Sequence, residues 1–351
     1  MSLEQGDFVS DVQQELKFPV REARELVKDL MPPNAFIYWV DFLFHIALGW
    51  LAFIFCFKSD FLSLSQWVSF FVSAFSLFRA AIFIHELTHL RKGTFQIFRV
   101  IWNILCGFPL MIPSFLYQGV HNEHHNMNLY GTDGDGEYFP FVKEGRIKII
   151  VFIVFSFFLP VFFFIRFVVL TPLSYCHKGM RSFVLERVSS FSIDLSYKRT
   201  YSSLNSVPTW QAQEALTCLY GWTFVLMMSY GVLPFPVLCL WLGTLGIVFF
   251  VNSLRTLAAH CYRNSGNETM DISGQLLDSV NVPASLFGIF WAPVGLRFHA
   301  THHLIPEMPY HSLGKTHNKL MERFSQNNLY SQATSHSLRS ALCRLWREAG
   351  N

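Results

Sequence analysis

The chain has 351 residues, of which 52% are hydrophobic and only 15% are charged. This composition, with a mean hydropathy of +0.31, is more apolar than a soluble protein of this size requires, and it predicts an integral membrane protein. The net charge of +3 is too small to indicate nucleic-acid binding, so membrane lipids are the expected surroundings.

The first segment, residues 1 to 35, mixes charged with apolar residues until Met31-Pro32-Pro33 ends the pattern. It predicts an amphipathic helix that lies on the membrane. Because the first apolar run starts only near Phe36, no cleaved signal peptide is expected. We expect three parts: this segment, a membrane domain over residues 36 to 311, and a C-terminal cytoplasmic helix and tail over residues 312 to 351.

Two apolar runs follow that are long enough to cross a bilayer, which takes about 20 residues. They are Phe36 to Phe57 and Trp67 to Ile84, joined by a short turn. His45 lies alone in the first run, with no second histidine one turn away. It is therefore predicted to pack against a neighbour or to sit in an internal polar pocket rather than to bind metal.

Three motifs with closely spaced histidines come next, the first of them where the second run ends. They read His85-Glu86-Leu87-Thr88-His89, His121-Asn122-Glu123-His124-His125 and His299-Ala300-Thr301-His302-His303. On a helix, residues three and four apart share a face, so each motif can direct two or three imidazoles at one point. His260 adds a ninth candidate ligand. Nine nitrogen donors are too many for one zinc ion, which takes about four ligands, and they suit two metal ions, for which iron is the preferred candidate.

One shared site requires all three motifs on the same side of the membrane, so each interval between them must hold an even number of crossings. The apolar run Phe95 to Tyr117 is interrupted by polar residues and prolines. Irregular backbone survives at membrane depth only when protein buries it. This run is therefore predicted to lie along the interface or to dip into the membrane and return.

Three apolar runs separate the second motif from His260. Ala215 to Gly231 and Phe235 to Leu254 are predicted to cross as a hairpin, whereas Ile147 to Leu170 is predicted to be a re-entrant hairpin bent near Pro160. The loop that follows this run is rich in basic residues, and the positive-inside rule therefore places it on the same side of the membrane as the motifs. The predicted fold is thus all-α and multi-pass, with about four transmembrane helices, further re-entrant or interfacial helices, and a histidine-box cap on the cytoplasmic side together with both termini.

The remaining segments carry weaker signals. Val282 to Val294 is predicted to be interfacial or to pack over the site, and Leu313 to Phe324 to be a surface helix capped near Ser312. Three further histidines are expected to face solvent, namely His177, His317 and His336.

The three motifs, in this order and separated by apolar segments, resemble the histidine boxes of the integral-membrane fatty acid desaturases and their hydroxylase relatives. The resemblance extends from about Phe36 to His311 and includes a lone histidine before the last box, here His260. Some relatives carry Asn four residues before that histidine, where this chain has Thr256. The resemblance implies two irons and dioxygen as a co-substrate, and the implied metal ligands are His85, His89, His121, His124, His125, His260, His299, His302 and His303.

The first box also fits H-E-x-x-H, the pattern of zinc metalloproteases, in which the glutamate activates water. That alternative leaves the other two boxes and His260 without a role. Because ligating histidines usually donate their second N–H to a carboxylate, a carbonyl or water, neighbouring polar groups are expected to support them. The candidates are Glu86, Glu123, Thr256, Asp133, Asp135, Glu137 and His311, although the Gly-Asp run that contains Asp133 equally fits a plain turn.

The predicted activity is oxygen-dependent desaturation of a long-chain acyl lipid, with hydroxylation or ketone formation as the alternative, since the resemblance covers both. A metal carrier without enzymatic activity is a further alternative. The sequence shows no dinucleotide-binding fingerprint and no cysteine spacing for an iron–sulfur cluster. Electrons are therefore expected from another protein, a ferredoxin or a small haem cytochrome with its reductase, attracted by basic residues near the boxes: Arg255, Arg263, Arg297, Lys315, Lys319 and Arg323.

Overall fold

The computed structural model describes residues 17–91, 93–266, 268–284, 287–325 and 328–350. Helix makes up 67% of it, and the described residues contain no β-strand, only three isolated bridges. The predicted all-α class is therefore confirmed. The helices before residue 200 are α1 (Val20–Leu26), α2 (Ala35–Lys58), α3 (Leu64–His89), α4 (Gln96–Trp102), α5 (Val120–His124), α6 (Phe141–Glu144), α7 (Arg146–Ser156), α8 (Leu159–Cys176) and α9 (Lys178–Arg187).

The second half has one short helix, then two long helices and then a series of shorter ones. They are α10 (Tyr201–Asn205), α11 (Trp210–Ser229), α12 (Phe235–Ala259), α13 (Ile272–Asp278), α14 (Gly288–Trp291), α15 (His299–Leu304), α16 (Tyr310–Arg323), α17 (Asn328–Gln332) and α18 (Leu338–Glu348).

Four helices among the described residues are long and apolar enough to cross a membrane: α2, α3, α8 and α12. The predicted number is confirmed, and so are three of the four predicted segments. The fourth differs: the prediction placed it in Ala215 to Gly231, which belongs to α11, whereas the fourth candidate in the structure is α8. The first turns of α11 carry Gln211, Gln213 and Glu214, which lower its hydropathy.

The run from Ile147 to Leu170 is not one helix. It is broken at Phe157 and Phe158, just before Pro160, which lies in the first turn of α8 where its missing N–H costs nothing. The predicted bend near Pro160 is confirmed. The loop after α9 lies at the same end of the molecule as the boxes, because Ile193 N donates to the carbonyl of Gly136, beside the second box, at 2.7 Å.

The segment from Phe95 to Tyr117 dips among the long helices and returns. After α4 the backbone forms one turn of π-helix and then becomes irregular. Three buried or partly buried tryptophans hold this segment in place through hydrogen bonds. Trp50 donates to the carbonyl of Leu105 at 3.1 Å, Trp241 donates to that of Pro109 at 3.0 Å, and Trp102 donates to α3 at 2.8 Å. Protein groups thus satisfy the irregular backbone, as membrane depth requires.

The apolar side of the N-terminal segment packs on protein. Phe18, Ala23 and Val27 are buried in a core formed with α15, α16 and α17, so these three side chains do not face the surroundings, and the position of the segment on the membrane stays a prediction. Residues 1–16 of that prediction lie outside the description. Exposed ion pairs, such as Arg24 with Glu307 at 2.8 Å, flank this contact.

The C-terminal helix α16 is part of the same core. His317, expected to face solvent, is 3% exposed, because the face of α16 that carries Leu313 and Leu320 is covered by α1 and α15. His177 and His336 are exposed as predicted. His45 lies in a polar pocket, as expected, with Nδ1 2.8 Å from the carbonyl of Asp41.

Candidate metal centre

The histidines of the boxes lie on short or terminal pieces of helix that meet at one end of the molecule. His85 and His89 stand one turn apart in α3, which continues through the first box instead of ending before it. The second box forms α5 and the third forms α15, while His260 immediately follows α12. Helical spacing therefore sets the direction of each pair of rings.

The structure brings all nine histidines together in two groups. In each group every member offers a ring nitrogen, and these nitrogens lie within 4.8 Å of one another. The second and third boxes contribute to both groups. The five-histidine group is His85, His89, His121, His125 and His302, and the four-histidine group is His124, His260, His299 and His303.

The spacing of the ring nitrogens fits metal coordination. The Nε2 atoms of His121 and His89 are 2.9 Å apart, those of His302 and His125 are 3.0 Å apart, and those of His299 and His260 are 2.9 Å apart. A metal ion at roughly 2.1 Å from each of two nitrogens at right angles holds them about 3 Å apart. The two groups are thus compatible with a pair of iron ions.

His85 offers an independent test of this fit. It is 2% exposed, and neither of its ring nitrogens has a hydrogen-bond partner among the described residues. A buried polar group without a partner costs about 1–3 kcal/mol. A metal ion among the five nitrogens would satisfy one of these two atoms.

Burial also keeps the rings in the form that binds metal. It holds the pKa values of His121, His299, His302 and His303 well below the usual range, so these imidazoles are neutral and keep a free lone pair. His124 differs. Burial alone would lower its pKa, but the carboxylates of Asp135, Glu137 and Asp278 together outweigh burial and raise it.

Polar neighbours fix the orientation of two rings, those of His124 and His121. Asp135 lies 2.8 Å from His124 Nδ1, and Glu137 lies 3.1 Å from His121 Nδ1, to which the hydroxyl of Tyr117 is also close at 2.9 Å. A carboxylate at Nδ1 fixes the tautomer that leaves Nε2 free for metal.

His260 is held by a buried pair that the sequence did not indicate. The hydroxyl of Tyr130 is 2.9 Å from His260 Nδ1 and donates to Asp278 at 2.9 Å. Burial raises the pKa of Asp278 to about 6. Neither residue stands at a helical spacing from a box, so no local sequence pattern indicates them. Tyr117 differs, because it stands four residues before His121, and that spacing could have indicated it.

Four other predicted neighbours either hydrogen-bond to residues outside the nine histidines or face solvent. Asp133 is exposed, Thr256 accepts from Arg255 at 3.0 Å, and His311 accepts from the backbone of Asn34 at 3.1 Å. Glu123 accepts from Tyr197 and Thr200. Among the described residues, these four thus have other partners or face solvent, while Asp135 and Glu137 supply the predicted carboxylates.

Glu86 accepts its hydrogen bonds from residues outside the metal groups. Its carboxylate accepts from the hydroxyl of Tyr38 and from the backbone N–H of Tyr310 at 3.2 Å, and it lies 3.7 Å from His85 Nδ1. In a metalloprotease this glutamate would have to reach a metal-bound water as a general base. The arrangement therefore does not support the zinc metalloprotease alternative.

Fold and site define a membrane protein with a histidine-rich, metal-binding centre. The sequence model of the fatty acid desaturase family matches residues 61–335 of the chain. A curated relative, the ceramide hydroxylase of Caulobacter vibrioides (strain NA1000 / CB15N), is 37% identical over 328 residues, 93% of each chain. No solved structure matches significantly. The chain belongs to the fatty acid desaturase family and is an oxidoreductase of the desaturase and hydroxylase type.

Proposed function

We propose that the protein is an oxygen-dependent di-iron enzyme that hydroxylates a ceramide-like lipid. The observation that carries the proposal is the meeting of nine imidazoles in two neighbouring groups, five in one and four in the other. The reaction and the substrate class are supported by the relative from Caulobacter vibrioides, whose name states that it hydroxylates ceramide.

Hydroxylation places one atom of dioxygen in a C–H bond and releases the other as water, with two electrons and two protons from outside. When bound and reduced, the two irons supply the chemistry that splits dioxygen. The two histidine groups would hold the ions, and Asp135, Glu137 and the Tyr130–Asp278 pair would keep three rings aimed at them.

Desaturation of an acyl chain is a second candidate, which the family match favours. The two reactions require the same metal centre and differ only in the product. Hydroxylation adds one oxygen atom to the lipid, whereas desaturation removes two hydrogen atoms and adds no oxygen. The histidines therefore do not discriminate between them.

The test is to purify the protein, measure its metal content and follow the lipid product by mass spectrometry. With ceramide, labelled dioxygen and a reducing system, we expect two irons per chain and a product that carries one labelled oxygen. A dehydrogenated, unlabelled product would replace hydroxylation by desaturation. A single zinc ion, or reversible metal release without lipid oxidation, would contradict both.

A further inference from the structure

The helix of the third box begins without a capping residue of its own. α15 starts at His299, and the preceding residue, Phe298, has a side chain that cannot accept a hydrogen bond. The first N–H groups of a helix have no partner within it, and the residue at this position usually supplies a side-chain oxygen. An acceptor for α15 must therefore come from elsewhere.

Asn281 supplies that acceptor from outside the helix. Its Oδ1 accepts from the backbone N–H of Thr301 at 3.0 Å and from the hydroxyl of Thr301 at 3.1 Å. The N–H of Thr301 is the third of the helix, one of those that a capping side chain ordinarily serves. Asn281 and Thr301 are both fully buried, at 0% exposure.

The backbone of Asn281 is held on two sides. Its N–H donates to Ala333 at 2.7 Å and its carbonyl accepts from Ser335 at 2.7 Å. The next residue, Val282, donates to the carbonyl of Arg297 at 2.7 Å, just before the box. The capping oxygen is therefore fixed relative to both the C-terminal segment and the start of α15.

A second contact supports the same threonine. The hydroxyl oxygen of Tyr330 lies 2.6 Å from Thr301 Oγ1 and 3.0 Å from His317 Nδ1. Tyr330 is 0% exposed and His317 is 3% exposed. This chain of hydrogen bonds explains why a histidine of α16 is buried although it belongs to neither metal group.

The rotation of α15 about its axis matters because the helix serves both groups. His299 and His303 belong to the four-histidine group and His302 to the five-histidine group. Side-chain tips lie about 5–6 Å from a helix axis, so a rotation of roughly 10° moves a ring nitrogen by about 1 Å. Metal–ligand distances tolerate only about 0.2 Å. A helix of six residues has little internal resistance to such a rotation.

We propose that Asn281 is a positioning residue of the metal centre. It caps α15 from another segment and, with Tyr330, sets the rotation at which the third box points into both histidine groups. The inference rests on the proposed function only in taking these histidines to hold iron.

The experiment measures how fast a chelator removes iron from the purified protein. The variants are Asn281→Ala, which loses the accepting oxygen, and Asn281→Asp, which keeps one. Asn103→Ala is the matched control, because Asn103 is also buried and its Oδ1 also accepts from a backbone N–H, that of Ser114 at 2.9 Å, among the long helices.

We expect Asn281→Ala to release iron at least about ten-fold faster than the wild type, as for other supports of metal ligands. Asn281→Asp should restore most of the retention, and Asn103→Ala should match the wild type. Wild-type release rates in Asn281→Ala, or equal loss in Asn281→Ala and Asn281→Asp, would overturn the inference. Iron in the wild type itself tests the proposed function, so the two failures are distinct.

If Asn281→Ala does not accumulate in the membrane, Tyr330→Phe carries the test. It removes one hydroxyl and keeps the shape of the buried side chain. A faster release of iron, smaller than that expected for Asn281→Ala, supports the inference, and an unchanged rate overturns it.

Discussion

His302 and His124 allow the two histidine groups to be tested separately, because His302 belongs to the five-histidine group and His124 to the four-histidine group. His302 Nε2 lies 3.0 Å from His125 Nε2, and His124 is held through Nδ1 by Asp135. Both residues sit in short helices outside the four long apolar ones. Losing either ring should therefore disturb the metal more than the fold.

We expect His302→Ala and His124→Ala each to abolish turnover, by more than about 100-fold, while membrane insertion stays intact. Each variant should also hold less iron per chain than the wild type. His336→Ala, at an exposed histidine outside both groups, is the control and should behave as the wild type. Full activity in either ligand variant would remove the centre as described.

At the scale of single residues, the sequence spacing predicted which histidines meet, but it did not predict which acidic residues hydrogen-bond to them. In the turn after the second box, Asp135 and Glu137 reach histidines while Asp133 faces solvent. The turn is built around glycines, so no helical or strand period tells which side chains point inward. Asp278 and Asn281 act across long sequence separations, which a single sequence does not record.

At the scale of elements, the apolar runs gave the number of long apolar helices, but the requirement for an even number of crossings and the positive-inside rule exchanged two of them. α8 continues six residues past Leu170, and its polar members include Arg166, which is buried against Glu214 of α11 at 2.6 Å. Hydropathy does not exclude α8 in spite of Arg166, and the charges of Arg166 and Glu214 satisfy each other inside the protein. The loop after α9 nevertheless lies beside the second box.

The position of that loop predicts that it lies on the same side of the membrane as the histidine boxes. A short tag inserted at Leu195, which is exposed, should be accessible from the same side of the membrane as a tag at the C-terminus. A tag at Gly231, in the turn between α11 and α12, should be accessible only from the other side. Protection of the Leu195 tag where the C-terminal tag is accessible would mean that α8 crosses the bilayer.

At the scale of the whole molecule, the expected basic surface is less free than the sequence suggested. Lys319 is paired with Asp29 at 3.0 Å and Arg263 with Glu348 at 2.6 Å, while Arg323 pairs with Glu22. Arg255 turns towards Thr256. Because paired charges contribute little field, Arg297 and Lys315 remain the main candidates for attracting an acidic partner.

We still expect the protein to need an external electron donor. Purified protein with lipid, dioxygen and a nicotinamide cofactor should be inactive until a reductase and a ferredoxin or small haem cytochrome are added. The rate should fall as salt rises, since electrostatic attraction of the carrier is screened. Lys315→Glu should lower the rate at low salt and make the rate less dependent on salt, and His336→Glu, also exposed, serves as the control. Sustained turnover with the nicotinamide cofactor alone would contradict the expectation.

The backbone contacts of Asn281 with Ala333 and Ser335 have a consequence for biosynthesis. The ribosome makes these two residues about thirty positions after the third box, and the cap of α15 cannot be fixed before they emerge. A chain that ends before Ala333 would therefore carry all nine candidate metal ligands and still lack the contacts that hold Asn281 beside the third box.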